Sequence, residues 1–145
     1  MTPQEAFEVD QRIWLLWLHS EDRAVNRLMA QGVIAMQRGA LERALERFDE
    51  IVKRAPGFAE GWNKRATVLY MMGRHRESVA DVQHVLSLEP RHYGALSGLG
   101  MILVALDREE DALAWLRRAL ELNPYLDGVR HLADQIGERL KGKRT

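Results

Sequence analysis

A chain of 145 residues with 46% hydrophobic side chains can bury the core of one domain and is too short for two comfortable ones. Its 21 Lys and Arg balance its 21 Asp and Glu, so no net field steers it toward a polyanion, and neither nucleic acid nor an anionic membrane is expected as a partner. The absence of cysteine excludes disulfides and thiolate metal sites, and it fits a reducing cytosol and a periplasm equally well.

Thr2-Pro3-Gln4-Glu5 reads as a capping box with proline in the first turn, opening a helix that should run to about Leu18. Its end, Ile13 to Leu18, is the longest apolar run, six residues preceded by Glu5, Glu8, Asp10 and Arg12, too short and too charged for a membrane span or a signal core. As written the chain is expected in the cytoplasm, or in the periplasm if a signal peptide has been removed. The run is apolar around nearly the whole helix, more than one buried face needs, so something should cover Trp14 and Trp17. The first repeat with the chain tail, a second copy of the chain, or the groove described below would each do. Ser20 is placed to cap the next helix.

From there the chain repeats. Pro56, Pro90 and Pro124 are spaced 34 and 34 residues apart, and equal steps back from each align Leu28, Trp62 and Leu96; Gly32, Ala66 and Gly100; Ala44, Ser78 and Ala112; and Phe48, Val82 and Leu116. A further column, Gly39, Gly73 and Asp107, holds residues that tolerate a left-handed turn between helices. Each copy predicts a helical hairpin. The first helix buries residues such as Trp62, Ala66 and Leu69, and the second answers with Ala44, Leu45, Phe48, Ile51 and Val52 in the first copy. Gly32, Ala66 and Gly100 fall where the two helices cross, and proline ends each hairpin because it cannot continue a helix.

These columns resemble the tetratricopeptide repeat, whose pattern runs Trp-x2-Leu-Gly-x2-Tyr, Ala-x3-Phe, Pro. The third copy, Leu96-x2-Leu99-Gly100-x2-Leu103 with Ala112-x3-Leu116 and Pro124, matches best; Gln31, Arg65, Ala35 and Leu69 depart from it. Three copies, 25–58, 59–92 and 93–126, cover 102 of 145 residues. The expected fold is therefore all-α: an α-solenoid of three hairpins, preceded by a helix and connector over 1–24 and closed over 127–145 by a capping helix and polar tail. In the capping helix Val129, Leu132, Ala133, Ile136 and Leu140 share one face, and Lys141 to Thr145 should fray.

In stacked copies the fifth, ninth and twelfth positions of each first helix line the inner curve: Met29, Val33 and Met36; Asn63, Thr67 and Tyr70; Ser97, Met101 and Val104. With Lys64, these residues form the expected partner groove, where Met adapts its shape and Tyr offers area and a hydroxyl. The resemblance implies a non-enzymatic protein-binding scaffold that takes a peptide or protein segment there. One subgroup of the family grips C-terminal carboxylates with Lys and Asn at set groove positions. Here Met29 and Val33 replace its first-copy Lys and Asn, Lys64 its second-copy Asn, and Gly94 and Gly98 its third-copy basic pair. Binding of heat-shock-chaperone tails is therefore not expected.

Other features invite plainer readings. Arg65 stands in a column that is apolar in the best copy and must find a carboxylate or reach water. Trp115, whose column holds Arg47 and Asp81, is either an exposed contact or buried under the final helix. With Trp14 and Trp17 it suggests the alternative function, a homodimer formed through the Trp-rich N-terminal helix. The five histidines show no ligand spacing, and no convergent acid, base and nucleophile set is visible, so no metal, cofactor or catalysis is expected. Asp49 with Lys53, Glu50 with Arg54, and Arg117 with Glu121 are spaced for ion pairs along an outer face.

Overall fold

The computed structural model describes residues 1–144, with the side chains of Trp14, Leu15, Trp17, Leu18 and Arg144 outside the description. The described elements are helices: α1 (Pro3–Leu18), α2 (Arg23–Gln37), α3 (Leu41–Arg54), α4 (Ala59–Met71), α5 (His75–Leu88), α6 (Tyr93–Ala105), α7 (Glu109–Leu122) and α8 (Asp127–Arg144). Among the described residues none of these helices is long and apolar enough to cross a membrane.

Helix starts follow local hydrogen bonding. Thr2 Oγ1 accepts from Glu5 N at 3.1 Å while Glu5 Oε2 accepts from Thr2 N at 2.7 Å, the reciprocal box that the sequence predicts. At α2 the cap is Asp22 rather than Ser20. Asp22 Oδ1 accepts from Ala24 N at 2.9 Å, and Ser20 instead shapes the preceding turn, its Oγ accepting from Asp22 N at 3.1 Å. A carboxylate suits the positive end of a helix better than a hydroxyl. Arg54 Nε, 2.8 Å from Asp22 Oδ2, holds that carboxyl below its usual range and ties the end of α3 to the start of α2.

The three hairpins α2–α3, α4–α5 and α6–α7 turn identically. Gly39 and Gly73 have φ of 77° and Asp107 has φ of 57°, and in each turn the next residue's N–H reaches back five residues: Ala40 to Ala35, Arg74 to Leu69 and Arg108 to Leu103, all at 2.8 Å. At the crossings a Cβ built on Gly32 would lie 2.4 Å from Phe48 Cε1, and one on Gly100 2.5 Å from Leu116 Cδ2. In the middle hairpin, where Ala66 stands at the crossing, buried Ser78 Oγ donates to the Ala66 carbonyl at 2.6 Å.

No hairpin closes its core alone. Val25, Ala44, Phe48 and Ile51 of the first pack with Val68 of α4, and Ala66, Val82 and Val85 of the second with Ala95, Leu99 and Ile102 of α6. The third closes against α8 through Leu113, Leu116, Ala133 and Ile136, with Val129, Leu132 and Leu140 alongside. Glu109 receives Arg139 at 2.9 Å and Lys143 at 3.9 Å, so the helix continues through the stretch from Lys141 where fraying was expected.

None of the described cleft-lining residues belongs to the N-terminal helix. It lies along the edge formed by the turns between repeats: Tyr125 OH donates to the Met1 carbonyl at 2.8 Å, and Asp10 Oδ1 accepts from Tyr93 OH and, at 3.2 Å, from Asn123 Nδ2. Ile13 packs against the cluster of Tyr93, Leu96 and Ala119. Burial pushes the Asp10 carboxyl above its usual range. Cross-helix partners also displace two of the expected surface pairs, since Asp49 goes to Arg65 at 3.2 Å and Arg54 to Asp22, while Glu50 meets Arg47 of its own helix at 3.6 Å.

Candidate partner-binding groove

Helical spacing puts Asn63, Thr67 and Tyr70 on one face of α4 and Ser97 and Met101 on the facing side of α6. Between them lies a cleft of about 300 Å³, walled by these five residues and Lys64, with Ala66, Val82 and Ile102 also lining it. Gly98 leaves the α6 backbone bare on this side, where an added Cβ would meet nothing within 4 Å, and Gly94 also lines the cleft. Thr67 Oγ1 donates to the Asn63 carbonyl at 3.1 Å and Ser97 Oγ to the Gly94 carbonyl at 3.0 Å, so both hydroxyls already have acceptors within their own helices. Met101 is 46% exposed, and the Tyr70 ring rests beside His75, centroids 5.3 Å apart.

The remaining predicted groove residues lie elsewhere. Met29 is 6% exposed inside the first core, which includes Val68 of α4, and apolar Val33 and Met36 are half-buried against that core. Val104 is half-buried against the cluster under α8. The open cleft thus lies between the second and third hairpins. Trp14 and Trp17 fall among the side chains outside the description. Trp115 is neither open nor under α8: it is half-buried against the second core and the Tyr93–Leu96 cluster, with the Arg118 guanidinium 4.9 Å over its ring.

Arg65 turns away from the cleft. Its Nε and Nη2 each donate to Asp81 at 2.8 Å, its Nη1 donates to Asp49 at 3.2 Å, and its guanidinium lies 4.9 Å over the Trp62 ring, which stacks on His84 at 3.8 Å. The hydrogen bonds that Arg65 donates to Asp81 lead in raising the Arg65 pKa above its ordinary value. Trp62 Nε1 donates to the Pro56 carbonyl at 2.8 Å, so this half-buried indole joins α4 to the turn before it.

Beside the cleft sits a pair that the sequence reading did not single out. Glu60 and His92, both with fully buried side chains, meet at 3.0 Å between Glu60 Oε2 and His92 Nε2. His92 Nδ1 accepts from Ala95 N at 3.0 Å, capping α6, so the ring proton belongs on Nε2 and is donated to Glu60. Glu60 Oε1 in turn accepts from Asn63 Nδ2 at 3.1 Å and lies 3.9 Å from Lys64 Nζ. One signal was available: His92 stands in a column otherwise held by Phe58 and Leu126, where a polar ring needs partners.

The sequence profile of the tetratricopeptide repeat matches residues 29–83 and 63–127. This chain belongs to that family. A TPR repeat-containing protein of Rhizobium etli is 35% identical over 143 residues, 99% of this tetratricopeptide repeat protein and 70% of the relative. The Hsp70-Hsp90 organizing protein 3 of Arabidopsis thaliana is 26% identical over 106 residues, 70% of this chain but 19% of the plant protein. Among solved structures, the first TPR of Spaghetti (RPAP3) bound to the HSP90 peptide SRMEEVD superposes with a TM-score of 0.79 at 20% identity, covering 85% of this chain and 98% of that one.

Proposed function

We propose that this tetratricopeptide repeat protein is a non-enzymatic adaptor that holds a segment of a partner protein between α4 and α6, within an array that we divide as 1–24, 25–126 and 127–145. The observation that carries the reading is the cleft itself: adaptable Met101 and amphipathic Tyr70 stand over apolar Val82 and Ile102, with bare backbone at Gly98 for close approach. Peptide binding by the RPAP3 domain supports it. Among the described lining residues Lys64 is the one charged side chain.

Tyr70→Glu with Met101→Glu should abolish capture of the partner while helicity and melting temperature stay nearly unchanged. Retained capture would move the site off this cleft. With Met29 buried and Gly94 and Gly98 without side chains, calorimetric titration with SRMEEVD should show no micromolar binding.

A further inference from the structure

We propose that the groove is electrically closed, buried Glu60 neutralising Lys64 from beneath, so that the cleft selects an uncharged, apolar segment of its partner and rejects an acidic one. This rests on the adaptor reading above and specifies the chemistry of the guest.

Donors surround Glu60: His92 Nε2–H on Oε2, and Asn63 Nδ2 and Lys64 Nζ toward Oε1. A carboxyl met by donors on both oxygens acts as an acceptor only, which is the ionised form. Its side chain has no exposed surface, whereas Lys64 is 21% exposed and is the single charged residue lining the cleft among those described. The field that a guest meets is therefore that of a cation with its counter-ion already in place. A carboxylate arriving at Lys64 would compete with Glu60 and be repelled by it through a poorly screening interior. An uncharged guest meets no such opposition and covers Tyr70, Met101, Val82 and Ile102.

His92 holds Glu60 in this place. Its Nδ1 is committed to the Ala95 N–H and its Nε2–H to Glu60, so it holds the carboxylate without supplying charge. Glu60 and His92 are thus positioning residues for Asn63 and Lys64, acting through the groove wall rather than touching the guest.

The test is selection of a random twelve-residue peptide library on the folded chain, counter-selected against Tyr70→Glu/Met101→Glu. Binders that depend on Tyr70 and Met101 should be rich in Met, Leu and aromatic residues and depleted in Asp and Glu. On Glu60→Gln, which keeps an acceptor for His92 and unmasks Lys64, the selected pool should shift to acidic peptides, each binding about tenfold tighter than to the wild type. Lys64→Gln, a change that folding should tolerate, should leave the wild-type binders within about twofold. Acidic binders on the wild type, or a loss of about tenfold on Lys64→Gln, would overturn the closed groove and leave the adaptor standing. If no peptide depends on Tyr70 and Met101, the adaptor reading and this inference fall together.

Discussion

A methyl group added at Gly100 would lie 2.5 Å from Leu116 Cδ2 and 3.3 Å from the Ala112 carbonyl oxygen, whereas one added two residues earlier at Gly98 would meet open space. The same substitution should therefore have opposite signs on one helix. Gly100→Ala should destabilise by about 1–3 kcal/mol through overpacking, and Gly98→Ala should stabilise by up to about 1 kcal/mol through helix propensity. Urea titration of both separates them; equal effects would mean that α6 and α7 yield at their crossing. A second contrast concerns the Arg65–Asp81 pair, whose counterparts in the third hairpin are Leu99 and Trp115. Removing Asp81 leaves Arg65 paired with Asp49 at 3.2 Å, on a side chain only 22% exposed. Asp81→Leu should cost about 2 kcal/mol, and Arg65→Leu/Asp81→Leu should recover most of it, since an apolar pair already serves one repeat later. Arg65 was legible as a residue in need of a carboxylate; which carboxylate was not, because Asp81 and Asp49 lie on different hairpins, 16 residues away on either side.

Among the elements, α1 docks in a way that couples to pH. Burial raises the Asp10 pKa above its ordinary 3.8, so between that value and the raised one the folded chain keeps a proton that the unfolded chain has released. The stability contributed is fully present below pH 3.8 and is lost as pH rises through the folded value. Asp10→Asn keeps an acceptor for Tyr93 OH and Asn123 Nδ2 without the charge, so its melting temperature should match the wild type in acid and exceed it at neutral pH. Coincident curves across the whole range would show that the charge costs nothing at this edge. The helix itself was predictable from its capping box; the edge that it covers was not, because an all-round apolar run specifies burial without direction.

Over the whole molecule, each hairpin core is completed by its successor, while α1 is held through a short line of contacts at the turns. Native-state hydrogen exchange should therefore show α1 amides opening well before those of α4 to α7, as a separate unit. Exchange of α1 as slow as that of α5 would place it inside the cooperative array. The sequence by itself determined the period, the hairpins, the left-handed turns at Gly39, Gly73 and Asp107, the small residues at the crossings, and the apolar face of α8. These features are local or are copied from one repeat to the next, so a single rhythm along the chain records them. Only the tertiary structure decided the burial of Met29, the edge taken by α1, and the Glu60–His92 pair beneath the groove. Those contacts join positions that no repeat column relates, 32 residues apart for Glu60 and His92 and 83 for Asp10 and Tyr93, and they exist because stacking brings unlike surfaces together.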